Sequence, residues 1–309
     1  MLITVITMGI AEFCCGLSQS HTKMGDMDLD YLLMGADSAA QVAVRFLSLE
    51  HVLRESLVLH KNLTGALQDV YVRFVLSSVL LGSRMEDQDA ILFKLKIEDQ
   101  GIQINCEVSP KGLLRSAVFP AENVPLYTGD LAGVLQVVRL KSNSDVYQSL
   151  TRLQGSSVVD VFRDYLEKSD QSQSIVHVHT DMNDLSQSYG LWIEKLPGTS
   201  DEDWQEWQKR FANDAEFVNV VQATRDPDQI VQKLFPEKLT IMAVTKPKLA
   251  CTCSGEKITQ ALMVLPKEDL LDIFIKGEGV DTSCDYCGKV WHTADALIKE
   301  MVGAHNTVQ

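Results

Sequence analysis

The chain has 309 residues, and its 28 Lys plus Arg against 42 Asp plus Glu give a formal net charge of −14. So acidic a surface repels phosphate, which argues against a general nucleic-acid or anionic-membrane binder, and 45% hydrophobic with 23% charged residues excludes disorder as a global description. The length exceeds the roughly 250–300 residues at which single cores stop growing, so more than one domain is expected.

The N-terminal stretch 2–17 is apolar but has no preceding Lys or Arg, and Glu12 interrupts it. It is also shorter than the roughly 20 residues of a membrane-spanning helix. Residues 1–35 are expected to be a disordered extension, with Met24 and Met27 as alternative starts and Cys14–Cys15 incidental. The expected compartment is the cytoplasm.

From Ser38 the pattern reads as helical: Val42, Val44, Phe46, Leu47 and Leu49 precede His51–Leu59, and a second apolar helix spans Val70–Leu81 with Gly82 as its stop. Period-two alternation follows. Ile91, Phe93, Leu95 and Ile97 share one parity while Lys94 and Lys96 take the other, which predicts a half-buried strand. Gln103–Val108, Leu113–Phe119 and Val134–Leu140 read the same way. Val158–Glu167 carries a helical apolar face, and Ile175–Thr180 and Tyr189–Leu196 read as strands. This order predicts an α+β fold, with a mixed helix and antiparallel-sheet domain over 36–197. Cys106 is expected in the core. His177 and His179 share one strand face, a possible metal pair but more simply an exposed strand face.

Pro197-Gly198-Thr199-Ser200 breaks the pattern. Trp204, Trp207, Phe211, Val218 and Val221 then lie at helical spacing on a charged segment. Asp226-Pro227 caps a short second helix bearing Ile230, Val231, Leu234 and Phe235, ended by Pro236. Residues 198–245 therefore form an amphipathic helical linker. Such helices are marginal unless docked, so the segment is either an ordinary connector or a docked, releasable one.

Residues 246–309 hold the main chemical signal: Cys251-Thr-Cys253, then 30 residues, then Cys284-Asp-Tyr-Cys287-Gly. Two close pairs of thiolates suit a closed tetrahedral zinc site, and Gly288 fits a knuckle turn that aims amides at the sulfurs. Ser254 caps one expected helix, Pro266 opens a second that ends at Gly277, Val290–His292 forms a strand, and a final helix carries Leu297, Ile298 and Met301. A unit of this size has little surplus stability of its own, so loss of a structural zinc, bound with about 10–16 kcal/mol, should unfold it. The close pairs are also placed to oxidise to disulfides.

An inert zinc-ribbon interaction module and a thiol-disulfide oxidoreductase remain alternatives. The oxidoreductase wants its Cys-x-x-Cys at a helix start, whereas Cys287 leads through a turn into a strand. Six Lys, no Arg and seven acidic residues between 246 and 292 disfavour a nucleic-acid ribbon. His292 is expected beside or outside a shell that four cysteines already complete. No phosphate-binding glycine loop is present.

Leu249-Ala-Cys251-Thr-Cys253-Ser254-Gly-Glu256-Lys-Ile258, followed by Leu262, Leu265, Leu270-Leu271 and Cys284-Asp-Tyr-Cys287, resembles the 33 kDa chaperonin family, the redox-regulated heat-shock holdases. Ser144-Asp145-Val-Tyr147-Gln148 and Tyr165-Leu-Glu-Lys-Ser169-Asp170-Gln171 add weaker similarity. Gly112-Leu-Leu-Arg115 matches a family Gly-x-x-Arg, with Ser116 where a glycine often follows. The resemblance covers roughly residues 38–302. It implies a cytoplasmic, ATP-independent, non-enzymatic holdase. Reduced protein would hold one zinc ion through Cys251, Cys253, Cys284 and Cys287 and be an inactive monomer. Oxidation would form Cys251–Cys253 and Cys284–Cys287 disulfides, release zinc, unfold the C-terminal unit and the linker around Trp204–Phe235, and give a dimer that holds unfolding client proteins.

Overall fold

The computed structural model describes residues 30–37, 41–84, 90–120, 131–140, 147–154, 157–224, 226–235 and 239–304. The architecture is α+β. A five-stranded antiparallel sheet contains β1 (Tyr31–Asp37), β2 (Val42–Ser48), β8 (Ser174–His179), β9 (Tyr189–Lys195) and β10 (Thr240–Thr245), in the order β10-β1-β2-β9-β8. A six-stranded sheet contains β3 (Ala90–Ile97), β4 (Ile102–Val108), β5 (Leu113–Phe119), β6 (Ala132–Leu140), β7 (Tyr147–Gln154) and β11 (Lys248–Leu249), in the order β11-β5-β4-β3-β6-β7. Its pairings are antiparallel except β11 with β5.

Helix α2 (Gly65–Gly82) joins the sheets. Thirteen of its 18 residues are buried, as expected of a helix that is apolar all round and enclosed by protein. Two glycines set the close approach. A Cβ at Gly190 would lie 2.5 Å from Leu80, and one at Gly82 would lie 2.7 Å from Val108. Helix α1 (His51–Leu59) precedes α2, and α3 (Val158–Lys168) packs beside it through Phe162, whose ring sits 5.8 Å from Phe74 and 5.5 Å from Phe93. A capping box between Ser157 and Asp160 starts α3. Cys106 is fully buried in this core.

The segment read as helical from Ser38 is instead strand β2. Val42, Val44 and Phe46 face one side of the sheet and Leu47 the other, and both sides are covered. A strand buried on both faces loses its alternation, and the resulting apolar run mimics a helix. Tyr31–Gly35, assigned to the extension, belong to strand β1, bonded to both β2 and β10. The rest of that extension, with Cys14, Cys15, Met24 and Met27, lies outside the described residues, as does Pro236.

The segment after Pro197 forms α4 (Asp201–Arg210), α5 (Ala215–Ala223) and α6 (Pro227–Leu234). The single helix expected across Trp204–Val221 is broken after Phe211, where the Asn213 side chain accepts from the Ala215 amide and starts α5. Residues 240–245 are not helical either. Thr240, Ile241, Val244 and Thr245 are β-branched, and they pair with β1 as an edge strand. The C-terminal unit comprises α7 (Gly255–Met263), α8 (Lys267–Lys276), the hairpin β12 (Val280–Ser283) with β13 (Val290–Thr293), and α9 (Asp295–Ala304). Its apolar centre is small: Leu262, Leu270 and Met301, with Ile258, Leu265, Val280 and Val302 packed around them. Among the described residues, no helix is long and apolar enough to cross a membrane.

Candidate metal centre

Cys251 and Cys253 follow β11, at the point where the chain leaves the six-stranded sheet. The Ser254 hydroxyl accepts from the Lys257 amide to begin α7, and Lys257 Nζ donates back to the Thr252 carbonyl, 2.8 Å away, which fixes the bend between the two cysteines. Cys284 and Cys287 occupy the turn of the β12–β13 hairpin. There the Gly288 amide donates to the Cys284 carbonyl at 2.7 Å and the Cys284 amide to the Lys289 carbonyl at 3.0 Å. Gly288 has φ +69°, a conformation that glycine adopts without strain.

This brings the four sulfurs within 4.8 Å of one another. Cys251 Sγ lies 3.6 Å from Cys284 Sγ, and Cys253 Sγ lies 3.5 Å from Cys287 Sγ. A tetrahedron with Zn–S of about 2.3 Å has edges of about 3.8 Å, so the cage is of zinc size, and its sulfur-only donor set suits zinc. All four are free thiols. The Tyr286 and Cys287 amides point at Cys284 Sγ, the Lys289 amide at Cys287 Sγ and the Cys253 amide at Cys251 Sγ, as the knuckle expectation required.

The thiols are not equivalent. Burial, reinforced by the neighbouring sulfurs, pushes Cys287 up to about 12. Burial also raises Cys284. At Cys251 burial is outweighed by hydrogen bonds from the Cys253 amide and the other sulfurs, and its thiol sits below the ordinary value. One sulfur is therefore shifted toward ionisation while two are shifted away from it, and a cation is what would allow all four to ionise together. His292 is exposed, bonds Asp281 at 2.8 Å, and stands outside the cluster.

The centre is docked on the two-sheet body. β11 pairs in parallel with β5, and the Ala250 amide donates to the Leu114 carbonyl at 2.8 Å. Tyr286, between the two hairpin cysteines, lies under the Arg115 guanidinium, whose central carbon is 4.5 Å from its ring centre. Sequence reasoning missed this contact. The signals were an aromatic spacer inside a Cys-x-x-Cys and an Arg on a strand of opposite charge to the chain.

Helices α4–α6 cover the outer face of the five-stranded sheet. Trp204, Phe211, Phe217, Val221, Ile230, Val231, Leu234 and Phe235 are buried against Tyr31, Leu33, Val42, Val44, Phe46, Ile175, Tyr189, Leu191 and Ile193, and Trp207 is packed at the margin. Trp207 stacks on Phe211 with ring centres 6.0 Å apart and meets Phe235 at 5.9 Å. The hold is uneven, since only Trp204 is buried among the ten residues of α4. His177, read as exposed, is only 4% exposed. The linker helices cover the strand face that carries it, and strand alternation carries no information about what lies over a face.

Residues 30–294 match the family model described as Hsp33 protein. The 33 kDa chaperonin of Desulfotalea psychrophila is 26% identical over 254 residues, 77% of this chain and 85% of the relative. That of Lactobacillus johnsonii is 21% identical over 290 residues, 90% of this chain and 99% of the relative. The crystal structure of the 33 kDa chaperonin (heat shock protein 33 homolog) of Thermotoga maritima superposes with a TM-score of 0.75 at 17% identity, over 90% of this chain and 99% of that one, and so shares the fold. With its family match running through both sheets, the covering helices and the four-cysteine unit, the chain belongs to the Hsp33 family of chaperones.

Proposed function

We propose that the protein is a redox-gated, ATP-independent holdase of the cytoplasm, with no catalytic role. In the reduced state Cys251, Cys253, Cys284 and Cys287 hold one zinc ion, residues 198–245 act as a docked linker, and the chain is an inactive monomer. An oxidant such as peroxide or hypochlorous acid converts the four thiolates to Cys251–Cys253 and Cys284–Cys287 disulfides. Four electrons leave the sulfurs, two equivalents of peroxide are reduced to water, and no thiolate remains for the metal. The unit 246–309 then lacks the staple that its small core requires, and it unfolds together with the linker. The uncovered sheet face and the apolar sides of Trp204, Trp207, Phe211, Leu234 and Phe235 take up unfolding client proteins, and two chains associate.

One observation supports this reading above the others. The helices that cover an apolar face of the five-stranded sheet are followed in the chain by β10 and β11, and β11 ends two residues before Cys251. An inert ribbon gives no reason for that arrangement. The test oxidises zinc-loaded protein with peroxide at raised temperature while zinc release and suppression of a client's aggregation are followed. Zinc release with onset of protection is expected. Zinc release without protection, or equal protection by the reduced form, sinks the holdase reading. Turnover of a dithiol substrate would favour an oxidoreductase.

A further inference from the structure

The segment Gly112-Leu-Leu-Arg115 has no part in the proposal above, yet it lies against the metal centre. Arg115 is on β5, and Glu107 of β4 grips it through Nη2 at 2.6 Å and Nε at 3.1 Å. A guanidinium held in this way by one carboxylate is fixed in plane and direction. Its flat face covers Tyr286 at 4.5 Å, and the Cys251 sulfur is close enough to add to the upward shift of the guanidinium's pKa. In the parallel register Leu249 lies opposite Leu114, which sets Ala250, the residue before Cys251, alongside Arg115 independently of the stacking. One arginine of the two-sheet body therefore stands against both halves of the thiolate cage, the Cys-x-Cys half through the strand that leads into Cys251 and the Cys-x-x-Cys half through its spacer.

We infer that Arg115 is a positioning residue for the metal, and that through it metal binding and docking of the C-terminal unit on the six-stranded sheet form one linked equilibrium. A donor to a thiolate ligand withdraws charge and fixes the ligand's direction, and loss of such outer partners typically lowers metal affinity about 10–100-fold. Linkage is reciprocal, so bound metal must tighten the docking by the same factor that docking tightens the metal. The inference rests on the zinc reading of the four cysteines.

The experiment uses the full-length reduced chain with zinc, in competition with a chromogenic chelator. Arg115→Ala is expected to lower zinc affinity about 10–100-fold, with Arg115→Lys intermediate because a lysine keeps the charge but neither the stack nor the fork. Tyr286→Leu, which leaves β4 and β5 untouched, is expected to weaken zinc several-fold and serves if Arg115→Ala fails to fold. The second readout is proteolysis between residues 245 and 251. Saturating zinc should protect this junction in the wild type and fail to do so in Arg115→Ala. Affinities within twofold of wild type for both Arg115→Ala and Tyr286→Leu, or full protection of the Arg115→Ala junction by zinc, would overturn the inference and leave the zinc site standing. A wild-type chain that binds no zinc would overturn the metal reading itself.

Discussion

His177 Nε2 lies 3.1 Å from the Phe211 carbonyl oxygen, so a strand of the five-stranded sheet donates a hydrogen bond to the end of the first covering helix. The carbonyl only accepts, which assigns the proton to Nε2 and leaves Nδ1 facing Arg163 Nη2 at 3.5 Å. The ring lies between Phe211 and Phe217, each 6.2 Å away. Burial, and then the Arg163 charge, lower its pKa, and the Phe211 carbonyl and Asp214 offset only part of that.

The docked linker therefore holds this histidine neutral. Once undocked, His177 would lose that burial and its pKa would rise toward the ordinary value of about 6.5. Above that pH neither state is protonated and docking is at full strength. As the pH falls through about 6.5 the undocked state takes up the proton first, and docking weakens. Protease cleavage within 201–235 of the reduced protein should speed up from pH 7.5 to 5.5, and His177→Gln should flatten most of that slope. A small residual slope is expected from His179, which is shifted in the same direction. An unchanged slope in His177→Gln would remove the histidine from the latch.

Among the described residues, the Tyr31 hydroxyl and the Trp204 indole N–H in the same interface are both buried and have no partner. Each orphaned group costs about 1–3 kcal/mol. Removing the Tyr31 hydroxyl keeps the ring that packs 5.8 Å from Phe46 and removes the penalty. Tyr31→Phe should therefore bind the linker more tightly by about 1 kcal/mol, seen as slower proteolysis and slower oxidative activation. Faster activation would show that the hydroxyl has a favourable partner, such as a bound water.

Core truncation should act in the opposite direction. Phe217 and Leu234 are fully buried between helix and sheet, and replacing them by Ala costs about 2–5 kcal/mol. A cover held by so few side chains should then release without oxidation. Phe217→Ala and Leu234→Ala are expected to suppress client aggregation while still zinc-bound. Val264→Ser, at a position 84% exposed, is the control and should leave gating unchanged. Truncated variants that stay inactive would point to a client surface elsewhere.

The four-cysteine cluster was legible in the sequence almost completely. Ligand spacing, the Ser254 cap, Pro266 and the Gly277 and Gly288 stops are local signals, and each element fell where its signal placed it. The strands β3–β6 were equally legible, because alternation survives where a sheet is buried mainly on one face. β1 and β2 were lost for the opposite reason, since the covering helices bury their outer face as well and erase the alternation. Strand β10 was hidden because pairing with β1, some 200 residues earlier in the chain, is what makes it a strand. The roles of Arg115 and His177 come from segments that fold over them, which spacing along their own strands does not specify.

Removing the metal should show how much of the C-terminal unit depends on it. In the absence of metal, Cys284 and Cys287 both hold their protons at neutral pH, with Cys287 pushed up to about 12. Zinc, which coordinates thiolates, must displace at least these two protons. Apparent affinity should rise about hundredfold per pH unit around neutrality, with two or more protons released per zinc in a lightly buffered titration. Chelation at pH 7 should then melt α7–α9, whose buried centre is Leu262, Leu270, Ile298 and Met301, and leave α2 and the two sheets folded. A loss of helical signal limited to this unit, reversed by adding zinc under reducing conditions, is the expected result. Retention of the α7–α9 signal after complete zinc removal would show that the apolar contacts suffice, and the metal would then be an ornament of the fold and no switch.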